Sequence, residues 1–180
     1  MDDKRPSGFT LIELLLSVTI MALLAGLAMP SMAQFLEAHR LRGAAEALAQ
    51  TLRHARNHAL TYQTSIHFTA AVQATQTWCY GWSERERCRC QAPLREADAC
   101  TRGDADSARL QRQTSSAYPS VTLSLTRLVS ARYLTFNPVR GTASADTLVL
   151  NNRAGELRVI VSPLGRIRVC SVSLRGYPSC

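Results

Sequence analysis

Two arginines separated by one residue, in the string Gly165-Arg166-Ile167-Arg168, are the side chains whose type and spacing point most directly to chemistry. The run Ile167–Val172 reads as a strand, and alternate residues of a strand share a face, so Arg166 and Arg168 project together about 6.6 Å apart. Ile167 and Val169 then face a core. Gly165 permits a tight turn or a close backbone approach in front of the pair. Each guanidinium is a planar fork suited to phosphate oxygens, so the two form a ridge that grips a phosphate backbone without reading bases. Arg175 and Arg158 are candidate outer contacts of the same ridge. The competing reading is a solvated pair on an edge strand, where exposed cations discourage aggregation.

Charge distribution separates these readings. The chain carries a formal net charge of +8. From Phe9 to Asp106 nine arginines face nine acids, whereas from Ser107 to Cys180 ten arginines face only Asp146 and Glu156. The excess therefore belongs to the C-terminal half, which points to an anionic partner. Every basic residue after Arg5 is arginine. A GC-rich genome explains that choice over lysine, but it does not explain the asymmetry. No G-x-S-x-G, Walker A or H-E-x-x-H string is present, so the reading is of a non-enzyme without cofactor.

At the other end, a polar leader ending in Gly8 precedes an apolar run from Phe9 to Met29 that holds one acid, Glu13. Twenty-one helical residues reach about 31 Å, enough to span a bilayer core. An ionised acid there costs about 2.5–3.5 kcal/mol on insertion scales and calls for a neutralising partner. The string Gly8-Phe9-Thr10-Leu11-Ile12-Glu13 resembles the class III signal of type IV prepilins. That resemblance implies cleavage after Gly8 by a prepilin peptidase, N-methylation of Phe9, and pairing of Glu13 with the N-terminal amine of a neighbouring subunit during assembly. An ordinary secretory signal cut after Ser31-Met32-Ala33 is the alternative. The leader has no net positive charge, which argues against it.

Six cysteines follow the apolar run: Cys79, Cys88, Cys90, Cys100, Cys170 and Cys180. An exported domain sits in an oxidising compartment, so an even number predicts disulfides. Cys170 and Cys180 close a short C-terminal loop, a bridge that contributes about 3 kcal/mol by chain entropy. The other four predict two bridges, with three pairings open. Zinc is disfavoured because the spacing lacks a two-residue knuckle. His54 and His58 stand four apart on a helix and could share a metal, but no third ligand is evident, and a solvated helix face is the reading. His39 and His67 have no evident partner, so no metal site is predicted.

The elements that must position these groups follow from periodicity. Pro30 predicts a kink. Beyond it, Leu41, Ala44, Ala45, Leu48, Leu52, Ala55 and Ala59 form one helical stripe, giving a helix from Phe9 to about Leu60, roughly 75–80 Å long. Strands are predicted over Thr64–Val72, Thr75–Trp82, Val121–Leu125, Tyr133–Phe136, Thr147–Leu150, Leu157–Val161 and Ile167–Val172. The stretch Ser83–Ala117 reads as a polar loop stapled by cysteines.

A long helix covered by antiparallel strands is an α+β architecture, and the order of motifs resembles the FimT/GspH family of minor pilins and pseudopilins. The resemblance runs through Arg53-His54-Ala55-Arg56-Asn57-His58-Ala59, Trp78-Cys79-Tyr80-Gly81-Trp82, Leu134-Thr135-Phe136-Asn137-Pro138-Val139-Arg140-Gly141 and Gly165-Arg166-Ile167-Arg168-Val169-Cys170. It implies the type IV pilin fold, with a leader over 1–8, a transmembrane and assembly helix over 9–33, and a periplasmic globular domain over 34–180. It further implies a single-pass inner-membrane protein incorporated into a pilus or pseudopilus, with other pilins as partners through the N-terminal helix. In FimT-like members a C-terminal G-R-x-R motif is associated with binding DNA during natural transformation, and Gly165, Arg166 and Arg168 match it. The alternative within the resemblance is a structural or priming subunit of a pilus tip or type II secretion pseudopilus.

Overall fold

The computed structural model describes residues 9–73, 75–86, 88–102, 109–126 and 133–180, and within its helix the side chains of 27–31 lie outside that description. The leader with Gly8 lies outside the described residues. Among the described residues one α-helix, α1, is assigned over Leu11–Tyr62, beside a single 3-10 turn at Ser115–Ala117, and the α1 assignment runs through Pro30 without interruption. Its residues fall into two compact units, Met1–Leu36 and Glu37–Cys180.

In the first unit, Thr10 caps α1. Its carbonyl accepts from the Glu13 N–H at 3.1 Å, and its hydroxyl oxygen accepts from the same group at 3.4 Å. The string Thr-x-x-Glu is a capping-box pattern, and an acid in the first turn also favours the positive end of the helix. The apolar side chains from Phe9 to Leu24 are exposed. Among the described residues no helix is long and apolar enough to cross a membrane. The segment expected to do so, 9–33, contains the undescribed side chains 27–31.

In the second unit the stripe marked by sequence spacing is the buried face of α1: Leu41, Ala44, Ala45, Leu48, Leu52, Ala55 and Ala59 are fully buried. Four of the seven are alanine, and a small side chain lets covering strands approach the helix closely. Two antiparallel sheets cover it. The first has the order β5-β2-β1-β7, from β1 (Ile66–Val72), β2 (Trp78–Ser83), β5 (Arg112–Thr114) and β7 (Leu134–Phe136). The second has the order β10-β9-β8-β6, from β6 (Thr122–Leu125), β8 (Asp146–Asn152), β9 (Gly155–Val161) and β10 (Ile167–Ser171). Alternation in β8 and β9 sends Leu148, Leu150, Leu157, Val159 and Val161 into one core with the helix stripe and with Phe68, Tyr80, Trp82 and Phe136. Fully burying an aliphatic or phenyl side chain of this kind is worth roughly 1.5–3 kcal/mol, so this shared core holds the two sheets on the helix.

The stretch read as a loop, Ser83–Ala117, holds three short strands: β3 (Thr101–Arg102), β4 (Arg109–Leu110) and β5. β3 pairs with β4, and β5 adds to the edge of β2 through Cys79↔Thr114, Tyr80↔Gln113 and Gly81↔Arg112. These strands are polar and only two or three residues long, so no alternation announces them. Two disulfides staple the stretch to β2 and to itself, Cys79–Cys90 and Cys88–Cys100, with Cα separations of 5.8 and 4.8 Å. All four cysteines are buried in a small cluster of their own. A third bridge joins Cys170 to Cys180.

Candidate functional site

Gly165 ends a three-residue hairpin loop, Pro163-Leu164-Gly165, between β9 and β10. Its N–H donates to the Ser162 carbonyl at 2.8 Å, and the Ser162 N–H donates to the Arg166 carbonyl at 3.0 Å. The geometry is a turn followed by a left-handed residue, and Gly165 has φ +74. Space imposes a second demand for glycine. A Cβ here would fall 2.0 Å from the Gly141 carbonyl oxygen and 2.7 Å from Nε of Arg56 on α1. The hairpin is therefore pressed against both the helix and the Asn137–Gly141 turn.

Beyond the turn, Arg166 and Arg168 are exposed, while Ile167 is half-buried and Val169 buried. In register Arg168 lies opposite Ile160, and Cys170 opposite Arg158, so Arg168 and Arg158 are diagonal neighbours on the outer face of the sheet. β10 is an edge strand with β9 as its strand partner. The C-terminal tail covers only its far end. There the Ser171 N–H donates to the Pro178 carbonyl at 2.9 Å, and the Cys170–Cys180 bridge ties the tail down. Among the described residues no strand or tail pairs with the half of the edge carrying Arg168.

Neither of the two outer contacts joins the pair: Arg158 is ion-paired and Arg175 lies elsewhere. Arg158 is held by Glu156, Nε to Oε1 at 2.6 Å, because a strand places i and i+2 on one face and the residue two back is an acid. Arg175 sits in the tail, whose carbonyl at that residue accepts from Arg42, while Tyr177 of the same tail donates to Glu46 at 3.3 Å. Arg166 instead borders Arg53, Arg56 and Asn57. Arg42 and Arg56 are about 21 Å apart along α1, so the tail and the Arg166 turn lie at opposite ends of the strand. The single ridge expected from sequence is thus split.

The helix supplies what sequence reasoning did not assign. Arg53, Arg56 and Asn57 face Leu164, Gly165 and Arg166 across a cleft of about 360 Å³. Arg56 is fixed there by donating through Nε to the Gly141 carbonyl at 3.0 Å. Among the described residues no acid lines the cleft. None of these arginines, nor Arg168, has an ion pair among the described residues, in contrast to Arg40, Arg89 and Arg158. The available signal was the helical spacing of Arg53, Arg56 and Asn57, which share one side of the last turns. The partner element, over a hundred residues away, had no signal in the sequence.

The histidines depart from expectation. His58 is buried rather than solvated, because position 58 falls beside Ala55 and Ala59 on the core side of α1. Its ring stacks on Tyr62 at 4.3 Å and lies 5.0 Å from Trp82. Nδ1 has no hydrogen-bond partner among the described residues, and Nε2 is 3.8 Å from the Glu84 carboxylate. Burial, aided by Arg102, pushes the imidazole below its ordinary pKa despite Glu84. Among the described residues no group of three or more His, Cys, Asp or Glu is placed to hold a metal ion.

Residues 44–165 match the family described as Type II transport protein GspH, and residues 3–29 match the prokaryotic N-terminal methylation motif. No curated protein matches the chain. Its fold is similar to that of the type IV minor pilin FimU of Pseudomonas aeruginosa in space group P21, at 19% identity, covering 75% of this chain and 91% of that one with a TM-score of 0.49. It is also similar to the minor pseudopilin EpsH from the type 2 secretion system of Vibrio cholerae, at 13% identity, covering 73% and 97% with a TM-score of 0.46. The chain belongs to the GspH family and, with its methylation motif, is a minor pilin or pseudopilin.

Proposed function

We propose that this minor pilin binds DNA without sequence preference through Arg166 and Arg168, for DNA uptake in natural transformation. The observation that carries the reading is the open half of the β10 edge, where two exposed guanidinium groups alternate with core residues and meet no carboxylate among the described residues. Phosphate contacts position a protein on nucleic acid and carry no sequence information, so such a pair would hold any duplex. In the same reading, prepilin peptidase cuts after Gly8 and Phe9 is methylated. The helix over 9–33 makes a single pass through the inner membrane, and Glu13 meets the amine of a neighbouring pilin as the subunit enters a filament.

The GspH match favours a second reading, a structural or priming pseudopilin of a type II secretion system. That match ends at Gly165, one residue before the first arginine of the pair, so it bears on the scaffold and is silent on Arg166 and Arg168. A gel shift of random duplex DNA with full-length protein in non-ionic detergent separates the two. Replacing both residues, Arg166→Gln with Arg168→Gln, should lower the salt slope by about two units and leave the melting temperature unchanged. Wild-type binding by the double variant would remove DNA from this site and favour the structural reading.

A further inference from the structure

We propose that the cleft between α1 and the β9–β10 hairpin is the seat of one backbone phosphate of the bound DNA, with Arg53 and Asn57 of the helix forming the wall opposite Arg166. The inference rests on the DNA reading and extends it to residues that the Gly-Arg-x-Arg motif does not contain. Among the described residues three guanidinium groups line this cleft, and no carboxylate does. Like charges gathered without a counter-charge repel one another, and an anion between them relieves that repulsion. The geometry is prepared before any ligand arrives. Arg56 is held by the Gly141 carbonyl at 3.0 Å, so it acts as the positioned floor of the cleft. Gly165 leaves out the Cβ that would otherwise stand 2.7 Å from Arg56 Nε, so the motif's glycine keeps the floor in place as well as making the turn. Arg53 and Asn57 are exposed and can turn toward the ligand. Asn57 adds an amide donor.

One effect opposes the anion. The helix ends at Tyr62, and its C-terminal partial charge, about half a unit, disfavours negative groups, though it fades within the last turn. Asn57 and Arg53 lie one and two turns back from that end, and three full positive charges outweigh it. Arg168 lies one strand repeat beyond Arg166 and on the outer face of the sheet, so it serves a second phosphate rather than this one.

The test is fluorescence anisotropy of full-length protein in non-ionic detergent with a random-sequence duplex over a salt series. Arg53→Gln should weaken binding and lower the salt slope by about one unit at unchanged melting temperature, and Arg53→Lys should restore the slope. Asn57→Asp, isosteric and exposed, places a carboxylate in the cleft and should weaken binding roughly tenfold or more. Arg153→Gln removes the same charge at the β8–β9 turn, beside Asn152, whose amide donates to the Glu37 carbonyl at 2.8 Å, far down the helix. It should leave the slope as it was. A wild-type slope in Arg53→Gln, while the Arg166/Arg168 double variant loses binding, would overturn the phosphate seat and leave the DNA reading standing. An equal effect from Arg153→Gln would overturn the seat in favour of diffuse attraction. Failure of the wild-type protein to bind the duplex would overturn both.

Discussion

The cysteine-stapled stretch between β2 and β5 and the β9–β10 hairpin both carry arginines, and the protein uses them in opposite ways. In the stapled stretch Arg89 is engaged by Asp98 and by Glu96 at 2.8 Å. Arg112 donates to the carbonyls of Cys90, Gln91 and Ala92, and Arg85 to that of Ala97. These guanidinium groups knit an irregular backbone whose carbonyls have no sheet partners. At the hairpin one side of β10 is satisfied by its ladder with β9, and among the described residues acids are scarce and Arg166 and Arg168 have no ion pair. The same residue type is a structural brace where loose carbonyls and carboxylates surround it, and an available cation where they do not. Exposure alone does not distinguish the two cases, since Arg89 is exposed as well.

The sharpest way to break the contrast is to loosen the braced region. Replacing Cys88 and Cys100 together with alanine removes a buried bridge over a separation of 12 residues and should cost about 3 kcal/mol. This is read as a lower denaturation midpoint, with duplex binding retained at temperatures where the protein is folded. Loss of DNA binding by folded protein would show that the two regions are not independent. The hairpin's own weak point is Gly165. Gly165→Ala sets a side chain at φ +74 and against the Gly141 carbonyl, and should cost roughly 1–3 kcal/mol. It should also weaken duplex binding more than its stability loss explains, because Arg56 is displaced.

A third change converts the hairpin to the braced type. Ile160 lies directly opposite Arg168 on the outer face, so Ile160→Glu gives that arginine the kind of partner Arg158 already has. Salt slope should fall by about one unit with Arg168 itself intact. An unchanged slope would mean that Arg168 does not contact phosphate. The smallest effect concerns pH. His58 in the folded protein has its pKa lowered by burial, with a further push from Arg102, so the unfolded chain binds the proton more readily. Stability from this site is complete above the ordinary histidine value near 6.5 and falls as pH drops from there toward the folded value. The melting temperature should decline over that window, and His58→Phe should flatten the decline. His67, also shifted down by burial, leaves a residual slope of the same sign.

Much of this molecule follows from local pattern. The three- and four-residue spacing from Leu41 to Ala59 determines a buried helix face, and alternation determines β8 and β9 to within a few residues at each end, because side-chain direction repeats with the backbone's own period. Strand β2, buried along its whole length, is marked instead by its aromatic residues. The strand period predicts one face for Arg166 and Arg168, but Arg166 stands in the turn before β10 and lines the cleft beside α1, while Arg168 lies on the outer face. Tertiary structure decided the rest. The polar strand β5 exists because β2 offers its edge, and β3 and β4 because each offers the other a backbone partner. Which of Cys88 and Cys90 reaches Cys79 depends on how the chain between them folds, and no spacing rule contains that. Arg158 is taken by Glu156, a contact that parity allowed but did not require, and Arg175 is carried away from Arg166 because the tail closes against the helix at Arg42 and Glu46 while Arg166 borders Arg56. Arg53 and Asn57 become neighbours of Arg166 only because Gly165 lets the hairpin sink onto α1. Periodicity is a property of consecutive residues and can be read from them, whereas contact across a hundred residues is set by packing, which no local stretch encodes.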